Sequence, residues 1–332
     1  DPFDVIAKYG IDALRYFLTT NSSPGLDMRY DDSKVEASAN YLNKIWNSAR
    51  YVLDILGNNF KVRDLKFNEL PTMEKFIISR LNETIKNVTK NMEKFELGAA
   101  SSYLYNFVYD DFCSFYLEMS KLTNTSEVTK QTLYYVLKNM ILMIYPYTPF
   151  ITEEIYQNLP SHKESIMLED YPSYQPKMNN KEALEQVSLL NNMIKDIRNY
   201  KVTNKIAPNA EVNLTIVSKD KLFSGFTNYL KRFSFAKEIK LAKSNDTKGI
   251  SFTYPNVTLV IDVKIDQNEL KARLKQELDH INQEIKRSEG LLNNENFLKK
   301  APKEKLALEK DKYQKHLATK KSLQEKLDSL AK

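Results

Sequence analysis

Between Ser33 and Leu56 apolar residues return at steps of three and four: Val35, Ala39, Leu42, Ile45, Trp46, Ala49, Leu53 and Leu56. That period predicts one amphipathic helix over the whole span. Its opposite stripe is Asn40, Asn43, Lys44, Asn47, Arg50 and Tyr51, a row of amides and cations with one aromatic. Such a row is either a plain solvated face or a face that hydrogen-bonds base edges, since amides and guanidinium groups match their donors and acceptors. Helical periodicity continues over about 71–95, 97–121, 127–145, 149–159 and 181–202, with Gly57, the "TNTSE" loop and the Pro146/Pro149 pair at the joints. Ahead of it, Asp1-Pro2 opens a short helix that ends at Gly10. Asp12 is placed to cap a second helix running to near Thr20. The segment 160–180, with Pro160, Pro172 and Pro176, predicts an irregular strap.

The period then changes. "AEVNLTIV" alternates like a strand, "KDKLFSGFTNYLKRF" like a helix, and "KEIKLA", "GISFTY" and "NVTLVIDVKI" like strands again, which predicts a small α+β unit. After it Leu270, Leu274, Leu278, Ile281, Ile285 and Leu292 keep a near-heptad rhythm, and Leu306, Tyr313, Leu317, Leu323, Leu327 and Leu330 form a second stripe. Two stripes joined by a short break predict an antiparallel helical hairpin with its tip at Asn293 to Pro302. The expected fold class is therefore mainly α, with four regions. A lead-in covers 1–30, a helical bundle 31–205, a small α+β unit 206–265 and a coiled-coil hairpin 266–332.

Composition narrows the chemistry. An apolar fraction of 42% supports real cores. A single cysteine, Cys113, excludes a disulfide framework and suits a reducing, cytoplasmic setting. No apolar run approaches the roughly 20 residues of a membrane span, and the N-terminus has no signal-peptide pattern. The chain opens on "DPFDVIAKYG" without an initiator Met, as a segment of a longer protein would. Net charge is +6, and from Asp266 onward 16 Lys and Arg face 12 Asp and Glu, so +4 of the excess sits at that end. This points to a polyanionic partner there, or simply to a solvated lysine-rich helix.

Catalytic signatures are missing. The seven glycines do not cluster into a phosphate cradle, and three scattered histidines with one cysteine offer no zinc spacing. Asp110-Asp111 and Glu153-Glu154 are adjacent on predicted helices, where neighbours diverge by about 100 degrees, so neither is a catalytic dyad. "EMSKL" at Glu118 to Leu122 imitates an ATP-binding Met-Ser-Lys loop, but it closes an aromatic helix with Met119 toward the core.

Three stretches carry a resemblance. "DPFDVIAKYGIDALRYFLTTNSSPGLDMRYDDSKVEASANYLNKIWNSARYV" resembles the segment after the KMSKS loop in the valyl-tRNA synthetase family. "YPYTPFITEEIYQNLP" resembles a further family step, with Tyr145 where the family has histidine. "VIDVKIDQNELKARLKQEL" leads to "NNENFLKKAPKEK", which is similar to the family's coiled-coil turn. The resemblance covers essentially the whole chain and implies a partner, the tRNA for valine. It implies that region 1–30 is a linker and stem-contact remnant, that the bundle takes the anticodon, and that the hairpin takes the tRNA elbow. Candidate anticodon residues on that basis are Lys44, Asn47, Arg50, Phe76, Arg80, Glu153 and Glu154; Phe76 also suits ordinary core, and Glu153 and Glu154 a helix start. For the elbow they are Arg287, Phe297, Lys299, Lys300, Lys303 and Lys305, with Phe297 either stacking on a base pair or plugging the hairpin end. The parent enzyme would use ATP with Mg; this segment is expected to need no cofactor, to lack the aminoacylation site and to be a monomer. The alternatives are a coiled-coil protein-interaction module and the matching part of an isoleucyl or leucyl enzyme.

Overall fold

The computed structural model describes residues 1–21, 27–218, 225–242, 249–262 and 267–292, and beyond these only 306, 312–314, 316–317, 320–321 and 324. Helix α1 (Pro2–Tyr9) starts as expected, with Asp1 accepting a hydrogen bond from the Phe3 N–H at 2.9 Å. Gly10, at φ +87°, turns the chain into α2 (Ile11–Thr20).

Asp12 departs from its expected role as the cap of α2. It lies inside the first turn, buried, and its Oδ2 accepts from the Ile151 N–H at 2.7 Å, capping α8 (Pro149–Gln157) across the fold. The reason is that Gly10 already opens α2, while the first turn of α8 has no capping side chain of its own.

Helix α3 (Asp32–Leu56) buries Val35, Leu42, Ile45, Ala49 and Val52. Helix α4 (Thr72–Met92) buries Phe76, Ile77, Ile78, Leu81, Ile85 and Val88. Against both packs α5 (Leu97–Asn106), continuing through Phe107–Tyr116 into α6 (Leu117–Ser120). The extent matches the sequence reading of one helix, but Phe107–Tyr116 is π-helical. Its buried pairs are spaced by five, Phe107 to Phe112 and Val108 to Cys113, which is the i to i+5 step of a π-helix rather than the α step. Helix α7 (Glu127–Ile144) is buried along most of its length and α9 (Lys181–Thr203) packs on α4. The strap is pinned from α4: Asn82 donates to the Gln175 carbonyl and to Asn179, and accepts from the Gln175 N–H, while Ser79 accepts from the Asn180 N–H.

The small sheet has order β2-β1-β4-β3, from β1 (Val212–Ser218), β2 (Ala236–Ala242), β3 (Ile250–Tyr254) and β4 (Val257–Asp262). β1 and β2 are parallel and joined through α10 (Thr227–Ser234), while β4 runs antiparallel to both β1 and β3. Pro255 and Asn256 make the β3–β4 turn, with Asn256 at φ +65°. Gly249 precedes β3 because a Cβ there would lie 2.7 Å from the Ile261 carbonyl oxygen. Lys201, in the last turn of α9, joins bundle and sheet by donating to the carbonyls of Pro208, Ala210 and Ser234 at 3.2, 2.7 and 2.8 Å.

Helix α11 (Gln267–Leu292) begins the predicted hairpin. Residues 312–314 are again helical, and Tyr313 donates to Glu289 at 2.8 Å, as an antiparallel return requires. The tip lies outside the described residues.

Candidate nucleic-acid interface

The polar stripe of α3 is one wall of a groove of about 420 Å³. Asn40, Asn43, Lys44, Asn47 and Tyr51 face Leu117, Glu118 and Lys121 from α6 and its end, with Cys113 from the π-helical turn below. Helical spacing alone lines up the first set. The second arrives because the π-helical segment turns Tyr109, Asp110 and Ser114 outward while burying Phe112 and Cys113. Ser48 donates to the Cys113 sulfur at 3.0 Å, and burial pushes that thiol up, which disfavours the thiolate.

Lys44 spans the groove edge. Its Nζ donates to Ser114 Oγ at 3.0 Å and sits 3.7 Å from the centroid of the Tyr109 ring. Tyr109 stacks on Tyr105 with centroids 5.4 Å apart and planes 7° from parallel. From there a ladder of rings runs inward through Tyr41 and Tyr16 to Tyr147. Across the groove Lys121 is ion-paired with Glu118 at 2.7 Å and lies 5.7 Å from the Tyr51 ring. Amides, ammonium groups and aromatic faces around one open concavity are what unstacked bases require: edges are hydrogen-bonded and flat faces are stacked.

Of the residues singled out from the sequence, Lys44 and Asn47 line this groove, and Arg50 is exposed on the same helix with no ion pair among the described residues. Phe76 is corrected to core: it is 6% exposed and meets Phe115 edge to face at 5.6 Å, because its position continues the buried stripe of α4. Arg80 is ion-paired rather than free. Its Nε and a terminal nitrogen both meet Asp111 Oδ2, at 2.9 and 2.8 Å, and its other terminal nitrogen meets Glu83 at 3.3 Å. Burial holds Asp111 above the ordinary carboxylate range, against the pull of Arg80.

Arg80→Met should therefore lower stability by about 1–2 kcal/mol, between an exposed and a buried pair. Nucleic-acid affinity of the folded variant should fall by a few-fold at most, through the Asp111 carboxylate left without its partner. Denaturant melts beside binding titrations check this, and weaker binding at unchanged stability would return Arg80 to the interface.

Glu153 is not a free acceptor either. It accepts from Gln157 at 2.6 Å, Ser165 at 2.8 Å and the Ile166 N–H at 3.2 Å, which ties the strap to α8. Burial pushes its carboxyl up, but these donors prevail and hold it below its ordinary value. Glu154 is exposed beside Asn158. Neither acts at the helix start, which is at Pro149. Arg287 is exposed on α11 and sits 3.7 Å from Glu284. Phe297, Lys299, Lys300, Lys303 and Lys305 lie outside the described residues. Tyr105, Tyr109 and Lys121 were not anticipated; the available signal was the five-residue apolar spacing in "FVYDDFCSFY", which leaves Tyr109 outside.

Among the described residues no helix is long and apolar enough to cross a membrane, and no group of three or more His, Cys, Asp or Glu is placed to hold a metal. Residues 74–217 match the family described as the anticodon-binding domain of tRNA ligase, and residues 266–331 match the valyl tRNA synthetase tRNA binding arm. The valine–tRNA ligase of Geobacillus stearothermophilus is 38% identical over 99% of this chain and 39% of its own length. That of Bacillus subtilis is 36% identical over the same shares, 99% and 39%. The chain thus spans about two fifths of the curated relatives it matches.

Proposed function

We propose, from the premise that the chain belongs to the valyl-tRNA synthetase family as the portion bearing its anticodon-binding domain and tRNA-binding arm, that it binds the tRNA for valine. The parent protein would then be a valine–tRNA ligase, activating valine with ATP and Mg on a catalytic domain outside this segment. The segment itself holds the tRNA, as a monomer in the cytoplasm. The observation that carries this reading is the groove on α3, where Asn40, Asn43, Lys44, Asn47 and Tyr51 converge with Lys121.

The anticodon loop is taken there. Valine anticodons share adenine and cytosine at their second and third positions, so amides and cations that distinguish base edges are the groups required. Arg50 serves the same loop from the adjoining turn. Arg287, Phe297, Lys299, Lys300, Lys303 and Lys305 take the elbow, the cations on phosphate and the phenylalanine on an exposed base.

The test is titration of the purified chain with valine tRNA and with the same tRNA carrying a swapped anticodon. The expected result is tighter binding of the first, steep weakening with salt, and no ATP–pyrophosphate exchange in the presence of valine. Exchange activity would overturn the division of labour, and equal affinity for both RNAs would remove the anticodon from the α3 groove. Binding insensitive to salt would favour a protein-interaction coil instead.

A further inference from the structure

Beside the α3 groove lies a larger cleft, of about 830 Å³, between the bundle and the α/β unit. One wall carries Lys195 and Arg198 from α9 and Arg232 from α10. All three are exposed, and none is ion-paired among the described residues. The Arg198 guanidinium only grazes the Phe233 carbonyl, at 3.4 Å. The opposite wall holds Asp110, Asp111 and Glu118, of which Asp111 is neutralised by Arg80 and Glu118 by Lys121. Phe115 and Phe235 offer apolar ring surface, and Phe235 is 50% exposed in the left-handed turn that closes α10.

The two concavities are neighbours on the same helical segment. Glu118 lines both, and Ser114, which accepts the Lys44 hydrogen bond on the α3 side, lines the larger one. A single strand seated on α3 therefore crosses one ridge, Lys44 and Ser114, to enter the cleft.

We infer that this cleft receives a neighbouring nucleotide of the same RNA strand, with its phosphate among Lys195, Arg198 and Arg232 and its base against Phe115 and Phe235. The inference rests on the RNA-binding reading and extends it from the bundle to the α/β unit. The chemistry divides as a nucleotide does. A phosphate needs unpaired cations, a base needs a flat apolar face, and a ribose hydroxyl or base amino group needs an acceptor such as Asp110. An acidic peptide would be met by the cations but brings no flat base to the rings of Phe115 and Phe235. A free nucleotide shares the chemistry of a strand, so the test separates the two.

The experiment is a salt series of valine tRNA binding to the full chain, for wild type, Lys195→Ala, the triple Lys195→Ala/Arg198→Ala/Arg232→Ala, and Asn47→Ala, each beside a thermal melt. For single strands the log–log salt slope falls by about 0.7 for each phosphate that is no longer neutralised. The triple variant should flatten it by roughly two units and weaken binding about tenfold or more at low salt, and Lys195→Ala should flatten it by about 0.7. Lys195 has no hydrogen bond or ion pair among the described residues, so its single variant decides the matter if the triple fails to fold. An unchanged slope in Lys195→Ala and the triple, with Asn47→Ala still weakening binding, overturns the cleft's role and leaves the anticodon reading standing. AMP that binds the cleft while the RNA slope is unchanged assigns it to free nucleotides and also overturns the inference. A wild-type chain that fails to bind the tRNA removes both.

Discussion

Lys201→Met is expected to destabilise the chain by about 3 kcal/mol or more, because hydrogen bonds from a charged donor contribute roughly 1.5–3 kcal/mol each and are not additive. Lys201 is 2% exposed, and its ammonium holds three carbonyls from the loop after α9 and the end of α10. Methionine fills the same volume and abandons all three acceptors in a site sheltered from water. Urea melts of both proteins measure the difference. A loss below about 1 kcal/mol would mean that water replaces the ammonium at little cost.

The pH dependence has a defined sign. Burial lowers the pKa of Lys201 from its ordinary value. Between that lowered value and the unfolded one of about 10.4, the unfolded chain binds the extra proton, so this residue's contribution to stability rises with pH. Wild type should gain on Lys201→Met through that window and not below it. The opposite trend would mean that the carbonyls hold the proton more firmly than burial expels it.

The second large effect is on binding. Lys44→Ala/Asn47→Ala should weaken affinity for valine tRNA by about thirtyfold or more, since each of the two base-edge contacts is worth at least roughly 1 kcal/mol. The same substitutions should weaken binding of an anticodon-swapped tRNA much less. Asn47 is exposed and Lys44 half-buried, so the melting temperature should barely move. Removing Lys44 also uncovers the Tyr109 ring and breaks the bond to Ser114, which makes it the more sensitive of the two. Equal weakening on both RNAs would reduce the pair to phosphate contacts.

The mainly α architecture with a small α+β unit was legible because long amphipathic stretches and short alternating ones leave different periods. Val35, Leu42, Ile45, Ala49 and Leu56 are buried as their spacing marks, and Ala39, Trp46 and Leu53 half-buried at its edge. The polar stripe of α3 was legible for the same reason, and its extension into a groove was not. Tyr109, Ser114 and Lys121 lie some seventy residues along the chain from Lys44 and Tyr51. Only the packing of the π-helical segment on α3 brings them opposite one another.

The candidates that the fold pairs share one cause. Arg80 and Glu153 are charged residues on helix surfaces, indistinguishable in sequence from free ones, and their partners Asp111 and Ser165 come from other segments. Asp12 has the spacing of a local cap, yet its carboxylate serves a helix start 139 residues away. Periodicity along the chain thus determined the helices, the strands and which face of each turns inward, because burial of a face depends on local spacing. Which surface charges are free to meet a partner was decided only by the tertiary structure, because a charge is neutralised by whatever the fold sets beside it, at any distance along the chain.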